Sequence, residues 1–156
     1  MRRAPPTCMD RNAVREAWDE VADTYARRRD PDGSDAALID DLLAGLGDDP
    51  LVLDVGCGDG ARTLANLPAD SVGLDLSRAC LDLATGAVPE ARLLQGDMSA
   101  LPVADASADA ITAYHAVLHV PRAEHPAVYG DVARALPPGR ALLMPPPGRP
   151  SGPVPA

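Results

Sequence analysis

A chain of 156 residues holds one domain with a real hydrophobic core and is too short for two. Apolar residues make up 46% of it, a globular composition, yet no run approaches the roughly 20 apolar residues that a membrane span needs. The formal charge is −9, from 14 basic and 23 acidic residues, and an acidic surface of that kind disfavours sequence-independent binding to nucleic acid.

The texture of the charge adds to its total. Every basic residue is Arg, and 19 of the acids are Asp against four Glu. This bias, with much Ala and Gly, suggests a GC-rich genome, and the acid excess suits a high-salt interior where screening weakens self-repulsion. Phe is absent and aromatics are 3%, so Leu, Val, Ala and Ile must build the core. The first ten residues carry no apolar stretch of signal-peptide type, so a cytoplasmic location is expected. Cys8, Cys57 and Cys80 form no CxxC pair; free thiols and no metal site are expected.

Along the chain, Val14, Trp18, Val21, Ala22 and Tyr25 recur at helical spacing and predict an amphipathic helix. Pro31-Asp32-Gly33-Ser34 reads as a turn. A second helix is predicted over Asp35–Gly45, ended by Gly47-Asp48-Asp49-Pro50. From Leu51 the pattern changes to short apolar runs alternating with helical stretches. Strands are predicted at Leu51–Val55, Ser71–Leu74, Ala91–Leu94, Ala108–Tyr114 and Arg140–Met144. Helices are predicted at Ala61–Leu67, Arg78–Thr85 and Glu124–Ala135. That alternation implies right-handed βαβ crossovers, hence an α/β fold with a doubly wound, mostly parallel sheet of about five strands behind N-terminal helices. Pro137 to Ala156 holds eight prolines, which cannot extend a sheet and read as a disordered or polyproline-like tail.

The chemistry concentrates after the first strand, in Leu53-Asp54-Val55-Gly56-Cys57-Gly58-Asp59-Gly60. Alternate glycines permit positive φ and let the backbone approach a ligand closely. Taken alone, Gly56-x-Gly58-x-x-Ala61 also passes for a dinucleotide fingerprint. Two further acids sharpen the pattern. Asp75 ends the second strand, 21 residues after Asp54, where a carboxylate can accept from both hydroxyls of a ribose. Asp97, in Gly96-Asp97-Met98, closes the third strand, where it can accept from an adenine amine. Each acid alone could be a cap or a loop residue. Together they stand at the carboxyl ends of three successive strands, the edge where open α/β sheets bind ligands.

With these motifs, the stretch from about Trp18 to Met144 resembles a class I, Rossmann-like, S-adenosylmethionine-dependent methyltransferase of the small-molecule type. The similarity runs through Leu53–Gly60, Val72–Ser77, Gly96–Pro102 and Asp109–His119. The resemblance implies that Asp54, Gly56, Cys57 and Gly58 hold the methionine part of the cofactor. Asp75 would bind the ribose, Leu76 and Met98 the adenine ring and Asp97 its amine, with Tyr114 nearby. A cationic sulfonium suits the acids Asp54 and Asp59, whereas a nicotinamide dinucleotide would set its pyrophosphate against them. Candidates for a proton acceptor are Tyr114, His115 and His119 after the fourth strand. In the family, a segment ending in a tyrosine lies over the cofactor, which makes Tyr25 a further candidate. The arginines 27–29 are either solvated or a lure for an anionic acceptor.

The expected organisation is a helical lid segment over residues 1–47, a cofactor-binding core over 48–145 and the proline-rich tail over 146–156. The expected activity is methyl transfer to a small-molecule acceptor, with no nucleic-acid or membrane partner. An NAD-dependent oxidoreductase and a non-catalytic cofactor-binding remnant are the alternatives. Nothing after the fifth strand resembles the hairpin that completes the usual seven-stranded sheet. The expectation is therefore a frame that is C-terminally truncated or shifted, lacking those last two strands.

Overall fold

The computed structural model describes residues 10–28, 35–114 and 116–144. The predicted turn at 31–34, His115, and all of the tail beyond residue 144 lie outside the described residues. Two helices, α1 (Arg11–Arg28) and α2 (Asp35–Ala44), precede the strand β1 (Val52–Val55). Then follow β2 (Val72–Asp75), α3 (Arg78–Ala87), β3 (Arg92–Gln95), β4 (Ala110–Thr112), α4 (His125–Ala135) and β5 (Ala141–Leu143). The five strands form one sheet, all parallel, in the order β3-β2-β1-β4-β5.

That order follows from the apolar pattern. All four residues of β1 and all three of β4 are buried, as central strands covered on both faces require. One face carries Leu53, Val55, Leu74 and Ile111 into a core with Val128 and Val132 of α4. The other carries Val52 and Ala110 into a core with Ile39 of α2 and Leu81 of α3. The chain builds β1, β2 and β3 outward in one direction and then crosses back to place β4 on the free side of β1. The carboxyl ends of β1 and β4 therefore form the topological switch point, where such sheets open a crevice.

Two local expectations are corrected. Residues 61–67 do not form an α-helix; they make turns and a single 3-10 turn at Leu64–Asn66. The amide of Ala65 reaches back to the Gly60 carbonyl, and the Asn66 side chain holds the Arg62 carbonyl, so local bonds replace a helical ladder. Strand β4 is shorter than the apolar run Ala108–Tyr114, because Ala116 must turn in against Gly56. The stripe of α1 faces the carboxyl edge of the sheet and α3, and Val21 stays 45% exposed.

The crossover from β3 to β4 contains no helix and is held by side chains. Arg134 of α4 donates to the carbonyls of Val103 (2.8 Å) and Leu101 (3.0 Å), and pairs with Asp105 (2.7 Å) and Asp131 (2.8 Å). Asp131 in turn accepts from the Leu101 amide. An Arg134→Ala variant should lose protection at the Leu101 amide by about tenfold or more, while amides of α2 stay unchanged. Hydrogen exchange read by NMR checks this.

Candidate functional site

The loop after β1 is shaped by bonds to β2. The amides of Gly56 and Cys57 both donate to the Leu74 carbonyl, at 2.7 and 3.0 Å. Gly56 and Gly58 take φ of 72° and 57°, in the left-handed region that glycine tolerates. A Cβ on Gly56 would lie 2.3 Å from that of Ala116, so the loop and the segment after β4 meet with no room for a side chain. Asp75 secures the arrangement. Its Oδ2 accepts from the Gly58 amide and its Oδ1 from the Ser77 amide, both at 2.9 Å. Burial pushes the Asp75 carboxyl above its ordinary pKa, against the pull of those amides.

Over this loop lies a cleft of about 950 Å³ of empty space, its open mouth included. Gly56, Gly58, Asp59, Asp75, Leu76, Asp97, Met98, Tyr25 and His119 of the expected site all line it. Of the acids expected at three successive strand ends, Asp75 and Asp97 are thus brought together in one place, beside the glycines of the first loop. Asp54, Cys57 and Tyr114 are not among its lining residues. Asp54 is only 2% exposed and accepts from the Thr112 hydroxyl at 2.8 Å, across the β1–β4 register. Cys57 turns into the core beneath Gly73, where burial first and then the Asp54 charge raise its pKa and keep it a thiol. The Cys80 thiol, at the cleft wall, is likewise pushed up to about 11 by burial. Neither is a nucleophile at neutral pH.

Helix α1 roofs the cleft. Arg11, Val14, Trp18, Ala22 and Tyr25, spaced by three and four residues, all line it. Trp18 meets His119 edge to face at 4.9 Å between ring centres, and Tyr25 at 5.5 Å. Asp19 fastens the helix to the start of α3, accepting from the Ser77 hydroxyl (2.6 Å) and the Ala79 amide (3.1 Å). Those bonds, the Ser77 hydroxyl foremost, hold the Asp19 carboxyl below its usual pKa. Ser77 itself caps α3 by accepting from the Cys80 amide.

Sequence reasoning missed Arg11, Asp19 and Thr112. Arg11 and Trp18 fall seven residues apart on the face of Val14, so a helical wheel would have flagged Arg11. Nothing in one sequence marks Thr112 or Asp19, whose partners are set by strand register and helix packing. Among the described residues, no group of three or more His, Cys, Asp or Glu could hold a metal ion.

A parallel five-stranded sheet with a glycine-shaped, acid-rimmed cleft at its switch point is a Rossmann-like cofactor domain. More narrowly, the chain belongs to the methyltransferase domain family, which matches residues 52–139, and so to the class I, S-adenosylmethionine-dependent methyltransferases. A sterol 24-C-methyltransferase of Neurospora crassa is 36% identical over 104 residues, covering 61% of this chain and 27% of its own length. The S-adenosylmethionine-bound structure of CalS10, an amino pentose methyltransferase of Micromonospora echinaspora, superposes with a TM-score of 0.67. It is 30% identical and covers 95% of this chain and 61% of its own. A SAM-dependent methyltransferase of Methanosarcina mazei gives a TM-score of 0.61 at 25% identity, over 69% of this chain and 55% of its own. The chain therefore spans about a quarter of the curated relative and roughly half to three fifths of the solved ones.

The Thr112–Asp54 bond is a buried polar contact across the switch point, and its loss is measurable. Thr112→Val keeps the shape and removes the donor to a buried carboxylate, so unfolding free energy should fall by about 1–3 kcal/mol. Urea denaturation of the two proteins checks it.

Proposed function

We propose that this chain transfers the methyl group of S-adenosylmethionine to a small-molecule acceptor, in the cytoplasm. The observation that carries the reading is the convergence of Asp75, Asp97 and the Gly56–Gly58 backbone on one cleft at the strand ends. The chemistry of that lining fits a cationic ligand rich in donors. Asp59, Asp75 and Asp97 offer carboxylates, and Arg11, the one Arg among the described lining residues, is already engaged by Asp97. On the side of location, no helix among the described residues is long and apolar enough to cross a membrane.

The residues would divide the ligand between them. Asp75 would accept from the ribose hydroxyls, with Leu76 and Met98 against the base and Asp97 toward its amine. Gly56 and Gly58 would present backbone to the amino-acid end. Asp54, buried beneath the loop, would contribute its negative field there and hold the loop through Thr112 rather than make contact. When bound, S-adenosylmethionine supplies a methyl group activated by a cationic sulfur. What remains for the protein is alignment of the acceptor and exclusion of water, which the α1 roof with Trp18 and Tyr25 would provide. His119 at the cleft wall is the described candidate to take a proton from an acceptor that carries one. His115 is proposed beside it from the sequence alone. In this reading α1 is the lid, while α2 belongs to the core through Ile39.

The dinucleotide alternative loses its main support. Its pyrophosphate needs a helix N-terminus behind the glycine loop, and residues 61–67 form none. The polar acceptors at the rim, without a free guanidinium, suit a phosphate poorly.

S-adenosylhomocysteine at about 100 times its Kd should add roughly 2.7 kcal/mol to unfolding, and NAD should add nothing. Affinity should also depend on pH through Asp75. Donors on the ligand favour the ionised carboxylate, so binding is full above its raised pKa and weakens as pH falls through it. Asp75→Asn should lose that pH dependence and bind about ten- to a hundredfold more weakly at neutral pH. Calorimetric titration from pH 4 to 8 reads both effects. Stabilisation by NAD alone would overturn the reading.

A further inference from the structure

We propose that Arg11 is the gate of the cleft: it straps the two rims together and must release Asp97 before the amine of an incoming adenine can take its place. The proposal rests on the cofactor reading above and adds a residue to it.

The topology gives the strap its span. Strand order β3-β2-β1-β4-β5 sets the carboxyl ends of β3 and β4 on opposite sides of β1. Asp97 and Ser99 follow β3, and Glu124 follows β4 just ahead of α4. Arg11, the first residue of α1, reaches both sides. Its Nε lies 2.7 Å from Asp97 Oδ2, and its Nη2 donates to Ser99 Oγ at 3.3 Å and to Glu124 Oε2. One guanidinium thereby ties the roof helix to both rims.

The carboxylate of Asp97 is divided in a way that matters. Its Oδ1 already accepts from the Ser99 amide (2.8 Å) and the Ser99 hydroxyl (2.7 Å). A further donor must therefore come to Oδ2, and Arg11 holds that oxygen. An adenine amine and the guanidinium compete for one atom, so ligand entry and strap closure are coupled.

The strap is also the weaker of two fastenings. At its other anchorage α1 is held by Asp19, which accepts from the Ser77 hydroxyl and the Ala79 amide and pairs with Arg15 at 2.8 Å. The Arg11 group is an ion-pair cluster with side chains 31%, 24% and 18% exposed at Arg11, Asp97 and Glu124. Part-exposed ion pairs are screened by salt and individually weak, whereas the Asp19 cap satisfies a backbone amide at a helix start. The roof therefore opens at Arg11 and pivots near Asp19.

The test uses Trp18, the one tryptophan of the chain, packed on His119 at the cleft wall. Stopped-flow fluorescence with S-adenosylhomocysteine would compare wild type, Arg11→Ala, Arg11→Lys and Glu124→Gln, with Arg78→Ala in the exposed α3 pair as control. Arg11→Ala should raise the association rate about tenfold and leave dissociation nearly unchanged, so that Kd falls by a similar factor. Glu124→Gln frees one rim without touching Asp97 and should accelerate association by a smaller factor. Arg11→Lys should restore part of the barrier, and Arg78→Ala should change nothing. In wild type, association should quicken with added salt, and in Arg11→Ala it should not. In ligand-free protein, Arg11→Ala should also speed amide exchange in the first turns of α1. Unchanged rates with intact binding would overturn the gate alone. No calorimetric binding to wild type would overturn the cofactor reading and the gate with it.

Discussion

The carboxylate of Asp75 is the joint on which the site depends. It stands at the end of β2 and accepts one amide from the loop after β1 and one from the start of α3. Without those two bonds the Gly58 amide and the opening of α3 would have no fixed relation. The bonding continues outward, since Ser77 caps α3 and its hydroxyl reaches Asp19 of α1, which Arg15 holds from its own helix. A single thread of hydrogen bonds therefore links the glycine loop, the second strand, the third helix and the roof. Because Asp75 is desolvated, its charge is held under tension, and a ligand that donates to it relieves that cost.

The remaining constraints act around that joint. Leu74, one residue earlier, fixes the loop by accepting two amides through its carbonyl while its side chain anchors one core. Thr112 ties the loop's leading strand to β4 through Asp54, and Ala116 closes against Gly56. The switch point is therefore packed from below and opens above into the cleft under α1. Under the proposed function, catalysis by alignment would draw on this rigidity, because the protein's contribution would be to hold two reactants at one distance and angle.

The sheet and its strand-end acids were legible in the sequence for a physical reason. Buried parallel strands are short apolar runs, and Asp75 and Asp97 follow from where those runs stop, while Asp54 lies buried inside β1. The glycines of the first loop were equally visible, since only glycine takes φ of 72° and 57° without strain. What lay hidden depends on relations between distant elements. The false helix at 61–67 had adequate propensity, but its backbone found nearer partners in Gly60 and Arg62. The direction of the α1 stripe depended on Asp19 docking to α3, 58 residues away along the chain. Asp97 was visible as an acceptor, and its guanidinium partner was not, because the ion pair joins residues on separate elements.

The central claim is that the cleft over the Asp75 joint holds S-adenosylmethionine. An NMR titration of the uniformly ¹⁵N-labelled chain with S-adenosylhomocysteine tests it most directly. The account predicts that the largest amide shifts fall on Gly56, Gly58, Asp59, Leu76, Asp97 and Met98, with smaller ones along the cleft face of α1. Shifts centred elsewhere, or none at saturating ligand, would contradict it.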